Sequence, residues 1–225
     1  METKVYAADV DQLKDEDLFR RLYQSVLPER REKTDRMVFG KDKRLSLGAG
    51  ALLEWALREE GLKDFRLTTT ANGKPCLAHP GGIYFNLSHS GTRVMCALSD
   101  QEIGCDVEQV TEIDLKIARQ FFSDEENRAL MTCQDKDRRK DLFFRFWTLK
   151  ESFIKAAGVG LLLPLDQFSI IIDHDRILVR QNLDDRTYYF KEFDLSDGYK
   201  YAVCSVDKPV DFLRFSYRKT YYEQK

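Results

Sequence analysis

The 225-residue sequence holds only three histidines, five prolines and five cysteines. The cysteines stand at 76, 96, 105, 133 and 204, with no Cys-x-x-Cys pair among them, so a thiolate zinc site is not indicated. They read as free thiols, which suits a reducing cytoplasm. No stretch approaches the roughly 18 apolar residues of a membrane span, and METKVYAADVDQ lacks the basic-then-apolar order of a secretory leader. A charge bias is missing too: 36 Lys and Arg against 38 Asp and Glu leave a formal net charge of -2. Neither nucleic acid nor an anionic membrane is therefore an expected partner, and any anion site must be local.

With 43% hydrophobic and 12% aromatic residues the chain can bury a sizeable core. A strand is predicted from Val5, then helices near 15–26, 29–39 and 42–60, the last stopped by Gly61. Strands follow at Phe65–Thr70, Ile83–Leu87 and Val94–Ser99, separated by the turns Asn72-Gly73 and Pro80-Gly81-Gly82. Near residue 102 the order begins again: the strand IGCDVE, helices near 113–121, 123–131 and 136–157, and strands near 167–172, 176–181, 187–194 and 200–206. The expected class is α+β, a pseudo-twofold duplication of two similar lobes, 1–101 and 102–225, each with a small antiparallel sheet packed on a long helix. No Pro/Ser-rich linker separates them, so a ligand between the lobes would touch both. One chain would then build the whole cleft, and a monomer is expected.

In IGCDVE the even positions Gly104, Asp106 and Glu108 share one face of the strand. Two adjacent carboxylates repel unless a cation lies between them, and a hard divalent ion with oxygen ligands suits that geometry, magnesium first and manganese as an alternative. A wet acidic edge strand would show the same pattern. Gly104 would leave room for a ligand to approach the backbone. On the helix over 142–157, Phe143, Phe146, Trp147, Leu149, Phe153, Ile154 and Ala157 form an apolar stripe with Lys150 near its centre. A lysine there needs an anion, unless its stem snorkels along the aromatics to water. Glu151 at the stripe's border could complete the acidic set, with Lys150 and Lys155 flanking a polyanionic ligand. Read alone, Glu151 and Lys155 are equally a surface i,i+4 pair.

NLSHSG closes a predicted strand as an exposed, phosphate-binding type of loop in which His89 could donate to an oxyanion. Arg30, Lys33 and Arg44 belong to a basic crowd before and within the third helix, and Asn72-Gly73-Lys74-Pro75 adds a further cation.

Taken together, GCDVE, FWTLKESFIKAAGVGL, NLSHSG, FFSDEE and NGKP resemble, in order and spacing over nearly the whole chain, the Sfp-type 4'-phosphopantetheinyl transferases. The resemblance implies the same duplicated fold, with coenzyme A as cosubstrate and magnesium in the cleft. It implies Asp106, Glu108 and Glu151 as metal ligands, and Lys155 and His89 at the coenzyme A phosphates. Ser88, Lys74, Pro75, Arg44, Arg30 and Lys33 would line the nucleotide end. Cys105 departs from the family's usual branched aliphatic residue, and Arg30 stands where a lysine is common. The implied partner is an apo acyl carrier protein or peptidyl carrier domain, with Leu161, Leu162 and Leu163 as the candidate docking run. Glu151, directly or through a water, would take the serine proton. A magnesium-dependent nucleotide or coenzyme A pyrophosphate hydrolase and a non-catalytic coenzyme A-binding module are the competing readings.

Overall fold

In the computed structural model, residues 2–79, 81–174, 176–206, 211–215 and 217–221 are described. Pro80 of the second predicted turn lies outside them. The first lobe runs β1 (Lys4–Asp9), a 3-10 turn (Val10–Lys14), α1 (Glu16–Ser25), α2 (Pro28–Asp35), α3 (Gly40–Glu59), β2 (Leu67–Thr69), β3 (Pro75–Leu77), β4 (Tyr84–Ser90) and β5 (Arg93–Ser99). The second runs β6 (Ile103–Gln109), α4 (Leu115–Phe121), α5 (Asp124–Thr132), α6 (Lys136–Ala157), β7 (Ser169–Asp173), β8 (Arg176–Arg180), β9 (Tyr189–Phe193) and β10 (Tyr199–Ser205).

The duplication is visible in strand order. The first sheet contains the antiparallel run β1-β5-β4, and the second is β6-β10-β9, the same order in its own numbering. The hairpins β2-β3 and β7-β8 also correspond. Side-chain alternation then builds layers. Tyr6, Ala8, Val94, Cys96 and Leu98 turn toward α3, whereas Val5, Ala7, Met95 and Ala97 meet Ile103, Cys105, Val107, Tyr201 and Val203 of the other sheet. Ala202 and Cys204 face the α6 side. Helix, sheet, sheet and helix therefore stack around one inter-lobe core, where each large side chain contributes about 1.5–3 kcal/mol.

The expected boundary needs a correction. β11 (Asp211–Arg214) pairs in parallel with β1, and Phe215 and Tyr217, at the start of α7 (Tyr217–Tyr221), are buried in the first lobe's core. The tail assigned to 102–225 thus packs on the lobe that begins the chain. A parallel partner contributed from more than 200 residues away leaves no local pattern to read.

Gly104 is also explained differently. A Cβ there would lie 2.1 Å from the Ser152 carbonyl oxygen and 2.3 Å from the Ala156 nitrogen. The bare backbone makes room for α6, not for a ligand, and α6 packs directly on the acidic face of β6.

Candidate functional site at the lobe boundary

β6 hydrogen-bonds β10 along one edge, and its other edge is satisfied by side chains of β4. The amides of Cys105, Val107 and Gln109 donate to Asn86 Oδ1 at 2.9 Å, Ser88 Oγ at 3.3 Å and Ser90 Oγ at 3.2 Å. Positions 86, 88 and 90 share one face of a strand, so a polar residue at every second position stitches the lobes together. NLSHSG was expected as an exposed loop. It is instead the second half of β4, with Ser88 buried and only the outward His89 exposed.

Ser88 Oγ donates to Asp106 Oδ1 at 2.7 Å, and Ser90 Oγ donates to Glu108 Oε2 at 2.6 Å. From α6, which the missing side chain at 104 admits, Lys155 Nζ reaches Asp106 Oδ1 at 2.6 Å, the Cys105 carbonyl at 3.1 Å and Ser88 Oγ at 3.2 Å. One turn earlier on the helix, the half-buried Glu151 faces the same region. Burial first, and Asp106 next, push the Glu151 carboxyl above its ordinary pKa. Glu108 is raised by burial and by Asp106 and Glu151, against the Ser90 hydrogen bond and Lys155. For Lys155 burial is the largest single influence and opposes the charge, but Asp106, Cys105 and Glu151 together outweigh it, and its pKa is raised.

Three carboxylates therefore feel one another, with one ammonium among them. Among the described residues no three Asp, Glu, His or Cys side chains converge tightly enough to hold a metal ion. The donor chemistry nevertheless fits a hard cation. Asp106 is 3% exposed, and its Oδ2 is buried without a hydrogen-bond partner. A buried carboxylate oxygen left open next to two oxygen-bearing neighbours is a coordination position in need of an acceptor of its charge.

Exposed on β4 two residues before Gly91, His89 still loses part of its hydration to its neighbours, and this, then Lys155 and Lys33, hold its pKa below the usual 6.5. Arg30 lies across α3 over Gly50, where a Cβ would come within 2.1 Å of its Nε, and donates to the Ser46 carbonyl at 3.3 Å. Lys33 is held below its ordinary pKa by desolvation and then by Arg30. His89 and Lys33, each lowered first by burial and then by a neighbouring cation, would regain charge beside an anion.

Other residues expected at the site are engaged elsewhere. Lys150 is fully buried, with Nζ 2.7 Å from both Glu126 oxygens and from the Phe168 carbonyl, over the Phe168 ring. Glu126 also accepts from the Ser123 and Ile170 amides at 2.9 and 2.7 Å. The anion that Lys150 requires is thus internal, and it is corrected from a ligand contact to the tie between α5, α6 and β7. Lys74 Nζ is committed to Glu102 Oε2 at 2.8 Å and the Ile103 carbonyl at 3.2 Å, joining the β2-β3 turn to the second lobe, while Pro75 beside it is exposed. Arg44 lines a separate cavity with Lys14, Arg20 and Lys43, away from Arg30 and His89. Of the leucine run, Leu162 is 77% exposed, Leu163 packs against the second lobe's core, and the Leu161 side chain lies outside what is described.

Ser90, Asn86 and Glu126 were missed. The first two carried a signal in the alternation of N86-x-S88-x-S90. Glu126 carried one in Ser123-x-x-Glu126, a capping box that is formed at the start of α5.

Comparison with known proteins places these features among relatives. The family described as the 4'-phosphopantetheinyl transferase superfamily matches residues 102–204. The 4'-phosphopantetheinyl transferase Sfp of Bacillus subtilis (strain 168) is 36% identical over 222 residues, covering 96% of this chain and 99% of that protein. The 4'-phosphopantetheinyl transferase ffp of Bacillus subtilis is 35% identical over 220 residues, covering 95% and 98%. The human L-aminoadipate-semialdehyde dehydrogenase-phosphopantetheinyl transferase is 33% identical over 213 residues, covering 82% and 68%.

Proposed function

Because the chain belongs to the 4'-phosphopantetheinyl transferase superfamily, as an Sfp-type member, we propose that it moves the phosphopantetheine arm of coenzyme A to a serine hydroxyl of an apo acyl or peptidyl carrier protein, releasing adenosine 3',5'-bisphosphate. The observation that carries this reading is the charged knot at the lobe boundary, Lys155 on Asp106 beside Glu108 and Glu151, which falls inside the family's matched segment.

Attack of a hydroxyl on a pyrophosphate phosphorus leaves little covalent chemistry to the protein, so positioning and charge stabilisation carry the rate. Asp106, Glu108 and Glu151 would hold magnesium, or manganese in its place, and the bound ion would neutralise charge on the pyrophosphate. Lys155, kept protonated by Asp106, holds a positive charge for the departing bisphosphate. His89, largely neutral at pH 7, retains one ring N–H to donate to a phosphate oxygen, and Arg30 with Lys33 receives the nucleotide end. Burial raises the basicity of Glu151, which suits it to accept the serine proton directly or through a water. Leu162, exposed just beyond the end of α6, would be open to contact by the carrier.

Intact-mass spectrometry of an apo carrier protein incubated with this protein, coenzyme A and magnesium tests the reading. One arm's mass added to the carrier is expected. An unmodified carrier, with coenzyme A cleaved whether or not a carrier is present, would establish the hydrolase instead.

A further inference from the structure

Cations lining the clefts of this protein mostly face carboxylates supplied by the fold. Arg93 meets Asp9 at 2.6 Å and Asp197 at 3.0 Å, Arg145 meets Glu192 at 2.7 Å, and Lys200 is paired with Asp141. These pairs account for the cations of two cavities. A third cavity, of about 420 Å³, is different. It opens between the 3-10 turn, α1 and the first turn of α3, and four cations from these three elements line it: Lys14, Arg20, Lys43 and Arg44.

Glu16 is the single carboxylate in its wall, and Leu13 and Phe19 give it an apolar side. Among the described residues Lys14 and Arg20 pair with exposed carboxylates three residues earlier, Asp11 at 2.8 Å and Asp17 at 2.9 Å, pairs that water screens. Lys43 and Arg44 have no ion pair among the described residues, and the buried Arg44 Nε has no hydrogen-bond partner. The half-buried Arg44 and Lys43 therefore bring their charge to the cavity wall without a carboxylate of the described residues to balance it. α3 begins in this wall at Gly40, and Phe39 before it offers no capping side chain to the first-turn amides. With a chain net charge of -2, the positive patch is a local arrangement and not a reflection of overall composition.

We propose that this cavity is a second anion site, distinct from the lobe-boundary cleft, which takes a small phosphomonoester: phosphate on Arg44 and Lys43, organic body against Leu13 and Phe19. None of Arg30, Lys33, His89 and Lys155 lines it. A ligand there bridges the 3-10 turn and α1 to α3, and so braces the first lobe without touching the transfer chemistry.

The test is calorimetric titration of phenyl phosphate into the full chain already saturated with coenzyme A and magnesium. One saturable event per chain is expected, with inorganic phosphate binding more weakly and phenol not at all. In Arg20→Met/Lys43→Met the affinity should fall about tenfold or more, since charge-assisted contacts are lost, while coenzyme A affinity is unchanged. Should the double variant fail to fold, Lys43→Met alone, which removes one of the two proposed phosphate contacts, decides in the same way. The proposal is overturned if coenzyme A saturation abolishes the binding, if the substitutions leave it unaltered, or if the heat never saturates.

Discussion

Lys150→Met is the substitution that separates a ligand-binding lysine from a structural one. In the folded chain the ammonium and the Glu126 carboxylate are both fully buried and 2.7 Å apart. Removing the ammonium leaves Glu126 with the two amides of Ser123 and Ile170 but with its charge uncompensated. Breaking a buried pair by deleting one partner costs about 3–5 kcal/mol. At about 2–4 °C of melting temperature per kcal/mol for a chain of this size, Lys150→Met should melt about 6–20 °C lower than the parent. Lys150→Met/Glu126→Gln removes both charges and keeps an acceptor oxygen for one of the two amides, so part of that loss should return, a non-additivity that a double-mutant cycle measures. Differential scanning calorimetry reads the melting temperatures, and coenzyme A titration below the transition reads the ligand site. The single variant, while folded, should bind coenzyme A as the parent does. An unshifted melting temperature accompanied by lost coenzyme A affinity would refute the reasoning and return Lys150 to the ligand.

Further outcomes follow from the same geometry. Gly104→Ala places a Cβ 2.1 Å from the Ser152 carbonyl, so α6 must retreat from β6; urea unfolding should show a loss of about 1–3 kcal/mol or more, and transfer should fall with it because Glu151 and Lys155 move. Glu151→Gln should abolish transfer in the carrier-mass assay while weakening coenzyme A binding less than turnover, and normal turnover would dismiss Glu151 as ligand and base. His89 has a folded pKa below the 6.5 of free imidazole, so the folded chain binds fewer protons there and His89 costs stability only as pH falls through about 6.5. A phosphate beside it raises that pKa again, so coenzyme A affinity should weaken as pH rises through the window near 6.5 and level off above it. His89→Ala should flatten that profile.

How much of this was legible in the sequence depended on whether a residue's role was local. The helix predicted over 136–157 coincides with α6 because Asp135 caps its start and Gly158, in the left-handed region, ends it. β6 and its acidic face could be read from alternation within six residues. Partners could not. Periodicity placed Lys150 in an apolar stripe but did not say that Glu126, 24 residues earlier, would answer it. Gly104 was legible as a close approach but not as to what approaches. The polar alternation N86-x-S88-x-S90 looked like a loop because its function is to pair side chains with a strand of the other lobe, which hydropathy does not record. β11 depends on a parallel neighbour at the opposite end of the chain. Arg30 and Arg44, equivalent members of one basic crowd in sequence, are separated by the faces of α2 and α3 that carry them: Arg30 lies over Gly50 of α3, whereas Arg44 lines the cavity beside α1.

An anomalous-difference map at the manganese edge, from crystals grown with manganese and coenzyme A, tests the metal assignment on which the mechanism depends. One peak is expected within coordination distance of carboxylate oxygens of Asp106, Glu108 and Glu151, with Lys155 drawn from Asp106 toward phosphate. Manganese seated elsewhere, with those three side chains turned away from it, would contradict the account.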